Sequence, residues 1–193
     1  YDFAILDDGL QQKNIAYNLK IACFNSSEFI GNGFVLPAGP LRESIKEIKN
    51  YDIIFLNGSI KSTKKIFQKI KNFNKNIEVL EGEYVPQNIH SLDKKKNYLM
   101  FCGIGNPKEF ENTLLKHKFK LQRKFIYADH HNFSDEEIDF LKKIAKKNKL
   151  ELITTEKDYL RLNLKQKKDV KFLKINLKVN KINKLEKKLL NIK

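Results

Sequence analysis

Apolar residues in this chain gather in short unbroken runs separated by polar, lysine-rich stretches. Phe3-Ala4-Ile5-Leu6 is the first, and further runs lie at residues 19–24, 52–56, 77–80, 97–102, 119–128, 150–153 and 170–173. Runs of four to eight apolar residues read as strands buried on both faces, the kind found in parallel sheets. Between them the apolar positions change to helical spacing. Leu41, Ile45 and Ile48 predict a helix over 41–49; Ile66, Phe67, Ile70 and Phe73 predict the next. Phe110 and Leu114 share one face, as do Ile138, Leu141, Ile144 and Ala145, and Ile182, Leu185, Leu189 and Leu190 make a terminal helix over 180–192. Residues 81–96 are polar and mixed, and read as a loop. Strands alternating with helices mean α/β layers around a mainly parallel sheet.

The breaks between these runs carry their own signals. Pro37-Ala38-Gly39-Pro40 fits no regular ladder and reads as a link between two lobes. Gly103-Ile104-Gly105 turns the chain out of a strand, with Asn106 suited to a helix N-cap and Pro107 to the first helical position. Ser134 and Glu137 form a capping box, with Phe133 and Ile138 as its hydrophobic staple. Thr155 and Asp158 are a similar capping pair. The expected division is 1–36 as the end of a first lobe, 37–149 as a second α/β lobe, and 150–193 as a segment returning to the first.

Composition narrows the partners. The net charge is +15, from 38 basic and 23 acidic residues, yet the only arginines are Arg42, Arg123 and Arg161. Readers of nucleic-acid sequence rely on Arg at base edges, so no nucleic-acid partner is expected. A lysine-rich surface is drawn to anionic lipid or to a phosphorylated substrate. The terminal helix is basic and amphipathic. Such a helix can lie on a membrane surface, and is more often a terminal helix packed on its own sheet. Cys23 and Cys102 both lie in apolar runs, so two buried thiols are expected rather than a disulfide. No apolar run is long enough to span a bilayer. The chain starts without Met, directly in an apolar run, as a fragment starts.

Candidate chemistry begins at Asp7-Asp8-Gly9. Two carboxylates just past a strand end stand where ligands bind in open α/β sheets, and where a nucleotide's magnesium is held in P-loop kinases. Gly9 allows a sharp exit. A plain strand ending in an Asp-Gly turn fits the same residues. The glycine turn at 103–105 with its helix start suits an anion, and also an ordinary strand-to-helix turn. Asp129-His130-His131 ends an extended segment; adjacent side chains there point apart, which disfavours the two histidines as ligands of one ion.

Taken in order, Asp7-Asp8-Gly9-Leu10-Gln11, Gly31-Asn32-Gly33-Phe34-Val35-Leu36-Pro37-Ala38-Gly39-Pro40-Leu41-Arg42-Glu43, Asn57-Gly58, Phe101-Cys102-Gly103-Ile104-Gly105-Asn106-Pro107, Asp129-His130-His131 and Thr154-Thr155-Glu156-Lys157-Asp158 resemble the tetraacyldisaccharide 4'-kinase (lipid A 4'-kinase) family. The resemblance covers essentially the whole chain. It implies two α/β/α lobes, one a P-loop NTPase-like core that is incomplete here, with the site in the cleft between them. It implies ATP and Mg2+ as cofactors and a lipid A disaccharide 1-phosphate precursor as acceptor. It places the enzyme peripherally on the cytoplasmic face of the inner membrane, with no obligate protein partner. Carried over, His130 and Asp129 are catalytic; Asp7 and Asp8 hold metal and nucleotide; Arg42 and Glu43 match the substrate side, where Arg42 suits a phosphate or a salt bridge to its neighbour. From their own positions, Gln11 is close enough to contact the cofactor, and Lys157 either reaches a phosphate of it or is an exposed residue beside a helix cap. The Gly-x-x-x-x-Gly-Lys-Ser/Thr motif is absent. In the family it lies upstream, with a membrane-associating helix and a second catalytic Asp, so the 193 residues alone are expected to be inactive. The chain departs from the family pattern at Asn25, commonly Asp, and Ser44, commonly Pro. A basic module binding anionic membrane or nucleic acid is the alternative reading; it has no need of carboxylates and histidine at strand ends.

Overall fold

The structure, a computed structural model, describes residues 3–58 and 63–191; Tyr1 and Asp2 of the opening stretch and Ile192 of the expected terminal helix lie outside the described residues. In chain order the elements are β1 (Ile21–Asn25), β2 (Ile53–Asn57), α1 (Thr63–Phe73), β3 (Glu78–Pro86), β4 (Asn97–Cys102), α2 (Pro107–Lys116), β5 (Lys120–Ile126), α3 (Asp135–Lys147), β6 (Glu151–Thr155), α4 (Glu156–Arg161), α5 (Leu164–Lys167), β7 (Val170–Leu173), β8 (Ile175–Asn180) and α6 (Ile182–Leu190). They fall into two units, Tyr1–Tyr84 with Leu177–Lys193, and Val85–Asn176.

In the second unit, β4 explains the layering. Its strand order is β5-β4-β6-β7, all parallel. Tyr98, Met100 and Cys102 point to one face, where α2 lays Phe110 and Leu114 over them. Leu99 and Phe101 point to the other, against Ile138, Leu141 and Ala145 of α3. An unbroken apolar run is therefore what a central strand of an α/β/α sandwich requires, since neither face meets water. The Leu, Ile, Phe and Met side chains among these each contribute about 1.5–3 kcal/mol by burial. The caps form as their residues dictate. Asn106 accepts from the Glu109 N–H, and Ser134 and Glu137 make both bonds of the capping box.

The first unit has the order β1-β2-β3-β8, with β1, β2 and β3 parallel. Ile54 and Leu56 of β2, Val79 of β3, Ile70 of α1 and Ile48 form its core, with Ile66 and Phe67 packed alongside. Asn25 folds its carboxamide back onto Ser27, and Ser44 caps a 3-10 turn at Ile45–Asn50, so the two departures from the family pattern serve local turns.

Several expectations are corrected. Residues 3–6 are not a buried strand: they have no ladder partner among the described residues, and Phe3, Ile5 and Leu6 are exposed. An apolar run becomes a strand only where a neighbour takes its N–H and C=O groups. The sharp turn at Asp7-Asp8-Gly9 is made by Asp8 (φ 57°) and not by Gly9. Gly9 is instead required by close approach, because a Cβ there would lie 2.9 Å from the Leu6 Cβ. In place of the helix expected over 41–49 there is only the short 3-10 turn Ile45–Asn50, and Leu41 instead bridges to Val35. Of the expected loop at 81–96, residues 81–86 are the second half of β3; the remainder is irregular apart from a 3-10 turn at Ile89–Ser91. Cys23 is exposed, since it alternates with buried Ala22 on β1, an edge strand of the sheet; Cys102 is buried, and both thiols are free.

The division at 36 and 149 does not match the observed units. Pro37–Pro40 folds back on itself, with Leu36 N–H on Leu41 O and Leu41 N–H on Phe34 O. The strands before and after it, β1 and β2, then pair directly. A proline pair breaks ladders but does not by itself separate domains. The chain crosses between units near residues 84 and 176, and it is at Leu177 that it returns to the first. α6 forms as expected but buries no side chain fully.

Candidate active site

Three chain segments that are far apart in sequence meet at the carboxyl ends of β4, β5 and β6. The first is the turn after β4. Gly103 has no room for a side chain, since a Cβ would meet Ala128 O and the His131 Cβ at 3.0 Å. A Cβ at Gly105 would likewise lie 3.2 Å from the Asp129 Oδ2. The glycines let this turn lie against the second segment, Asp129-His130-His131. There His130 takes a left-handed backbone (φ 62°), and its N–H is shared between Asp129 Oδ1 (2.9 Å) and Gly103 O (3.1 Å). Non-glycine residues adopt this conformation uncommonly, and such strain concentrates at functional sites.

The third segment is Thr155 with α4. Thr155 caps α4 by accepting from the Asp158 N–H, as its spacing predicted. Asp158 is fully buried; its Oδ2 accepts from Gly103 N–H (3.0 Å) and from the Thr155 hydroxyl (2.8 Å). It thereby ties the β4 turn to the start of α4. Burial, with Asp158 nearby, pushes the Cys102 thiol up to about 11, so that sulfur stays protonated and inert.

These ties bring the predicted residues together. Lys157 Nζ lies 3.7 Å from Asp129 Oδ1 and 3.5 Å from His130 Nε2, and His130 Nε2 is 3.8 Å from Asp129 Oδ2. Arg161, which sequence reasoning missed, places its NH2 2.9 Å from His130 Nδ1 and its NH1 3.6 Å from Asp158 Oδ1. The available signal was spacing: Arg161 follows Lys157 by four residues and Asp158 by three, so all three share one side of a helix. His131 turns away. Its ring stacks on Tyr127 at 4.6 Å, meets Phe133 edge-on, and sets Nε2 3.0 Å from Glu137.

The remaining predicted residues gather in the first unit. They line a cleft of about 1160 Å³ that also includes Phe24, Tyr51 and Leu189. Asp8 is ion-paired with Arg42, and Gln11 Nε2 donates to Glu43 Oε1 at 2.6 Å. Burial, followed by the Glu43 charge, raises the Tyr51 phenol to about 12, so it stays a donor to Glu43 Oε2 at 3.3 Å. Asp8 in turn raises the Arg42 guanidinium, chiefly through their hydrogen bond. Asp7 is exposed, and its side chain is a hard oxygen donor. Mg2+ takes one or two such carboxylates together with phosphate oxygens and water, and Asp7 with Asp8 fits that role. No set of three or more His, Cys, Asp or Glu among the described residues could hold a metal unaided.

Comparison with known proteins agrees along the whole chain. The family model described as tetraacyldisaccharide-1-P 4'-kinase matches residues 1–193. The tetraacyldisaccharide 4'-kinase of Pelagibacter ubique is 43% identical over 192 residues, covering 100% of this chain and 61% of that protein. The one from Rickettsia akari is 37% identical over 163 residues, covering 84% and 48%. Among solved structures, LpxK from Aquifex aeolicus in complex with ATP superposes with a TM-score of 0.62 at 22% identity, over 95% of this chain and 55% of that one. The chain thus spans about half to three-fifths of the length of the relatives it matches. With its blocks in register from end to end and its fold shared with LpxK, this chain belongs to the tetraacyldisaccharide-1-P 4'-kinase family.

Proposed function

We propose that this chain carries the acceptor side and part of the nucleotide side of a lipid kinase. The enzyme would move the γ-phosphate of ATP to the 4'-hydroxyl of a tetraacyldisaccharide 1-phosphate in lipid A biosynthesis. The observation that supports this most is the meeting of Asp129 and His130, after β5, with Lys157, after β6, across the end of β4. Phosphoryl transfer asks a protein mainly for positioning, charge neutralisation and a group to orient or deprotonate the nucleophile. His130, with Asp129 at Nε2, is the group assigned to the sugar hydroxyl. Lys157 stands beside it as a half-exposed cation for a phosphate oxygen.

In the first unit, Asp7 and Asp8 would hold Mg2+, which supplies charge neutralisation at the phosphates when bound. Gln11 lies near enough to orient a ligand. Arg42 suits the phosphate that the acceptor already carries, because a guanidinium grips it with two parallel bonds. Its pairing with Asp8 holds it ready, and Glu43 fixes Gln11 beside it. No helix among the described residues is long and apolar enough to cross a membrane. The net charge of +15 supports work at an anionic surface, which we assign to the cytoplasmic face of the inner membrane.

The test compares two neighbouring histidines in the full-length protein, with ATP, magnesium and the lipid disaccharide. His130→Ala should lower turnover by roughly 10²–10⁴-fold, the usual scale for acid–base groups, with little change in KM for ATP. His131→Ala should keep most of the rate, because its ring packs on Tyr127 and Phe133. Equal losses, or a wild-type rate for His130→Ala, remove His130 from the mechanism.

A further inference from the structure

We infer that Arg161 is a positioning residue that decides which nitrogen of His130 keeps a lone pair. The inference rests on the reading that His130 acts on the acceptor hydroxyl. A neutral imidazole has one N–H and one lone pair, and the partner at either nitrogen selects the tautomer. Two cations compete for that lone pair. Arg161 NH2 stands 2.9 Å from Nδ1, a full hydrogen bond, whereas Lys157 Nζ stands 3.5 Å from Nε2, at the outer limit. A guanidinium only donates. Nδ1 therefore keeps the lone pair, and Nε2 carries the proton on the side of Asp129 Oδ2, 3.8 Å away.

Arg161 is itself held from below. Asp158 is fully buried, and its Oδ2 is used by Gly103 N–H and the Thr155 hydroxyl. Its Oδ1 has no hydrogen bond among the described residues, and Arg161 NH1 lies 3.6 Å from it. A buried carboxylate oxygen left without a donor attracts the nearest cation strongly. The guanidinium is planar and rigid, so its hold on Asp158 and its aim at His130 are set together. A carboxylate on one side of an imidazole leaves the opposite nitrogen as the base. Here that nitrogen is Nδ1, and an incoming hydroxyl takes the place of Arg161 NH2 there while Asp158 keeps the guanidinium close.

The experiment uses full-length protein with 15N-labelled histidine, read by long-range 1H–15N correlation at about pH 8, above the ordinary histidine pKa of ~6.5. Wild type should show His130 protonated on Nε2 alone, with the Nδ1 resonance displaced by its hydrogen bond. Arg161→Met should return that resonance toward the free value. In the kinase assay it should lower kcat by about 10-fold or more, in the direction of a mis-set histidine tautomer, with KM for ATP unchanged. Arg161→Lys keeps the charge without the fork, so it should restore neither signal; it carries the test if the Met variant does not fold. A wild-type His130 protonated on Nδ1 would overturn the inference. So would nitrogen shifts and kcat that ignore both substitutions. If the shifts respond to Arg161 but His130→Ala keeps the wild-type rate, the role of His130 fails and the positioning stands.

Discussion

His130 and His131 are adjacent, chemically identical, and placed in different worlds. The left-handed backbone at His130 turns its ring toward Lys157 and Arg161, while His131 stacks on Tyr127. Residue identity alone could not tell them apart, and the alternation expected of an extended segment does not apply, because Asp129 and His130 form a turn with His130 left-handed. The same scale governs the carboxylates of the first unit. Asp8 already has Arg42 as a partner and Asp7 is exposed. Asp7→Ala and Asp8→Ala should each lower turnover strongly in the full-length protein, because the γ-phosphate loses part of its neutralisation. Asp8→Ala should also weaken binding of the acceptor, since Arg42 loses the group that orients it. Near-normal rates for both at saturating magnesium would leave the opening turn with no part in catalysis.

At the scale of elements, α3 shows how a helix start is fixed locally and then used. Ser134 and Glu137 form the capping box, and Glu137 also anchors His131. Ser134→Ala should cost about 1 kcal/mol, measured by urea denaturation. The Glu137 carboxyl is held below its ordinary 4.5, first by the Ser134 backbone N–H and then by His131. A lowered folded-state pKa stabilises the protein at pH values above the ordinary one, and that contribution is lost as pH falls through the lowered value. Glu137→Gln should therefore reduce stability at neutral pH and flatten its fall below about pH 4.5. A variant whose acid unfolding curve overlays the wild type would remove Glu137 from this account. β4 is the contrasting element. Its burial on both faces makes any truncation expensive, and Leu99→Ala should cost about 2–5 kcal/mol.

For the whole molecule, charge is the property that acts at a distance. A net +15 carried almost entirely by lysine gives a field that attracts anionic surfaces without reading them. Binding to vesicles rich in phosphatidylglycerol should be measurable in ~0.01 M salt and nearly abolished in ~1 M, as the Debye length shortens from roughly 30 Å to roughly 3 Å. Binding that persists in high salt would point to apolar insertion instead, for which α6 with exposed Leu190 is the available surface.

Local signals determined a great deal by themselves. The strands at 97–102 and 170–173, the caps at Asn106, Ser134 and Thr155, and the parallel α/β class all follow from short-range pattern and stereochemistry. The family blocks likewise contain Asp129, His130 and Lys157, whose contacts with one another only the fold creates. Only the tertiary structure decided the rest. Residues 3–6 have the composition of a strand but no neighbour to complete it, and pairing is not a property of a single segment. The division into units follows which strands pair across the chain, so a proline turn that looked like a boundary became a fold-back within one sheet. Arg161 joined the site for the same reason. Spacing sets Arg161 beside Lys157 and Asp158, but its meeting with His130, 31 residues earlier, and the burial of Asp158 are encoded by no spacing along the sequence.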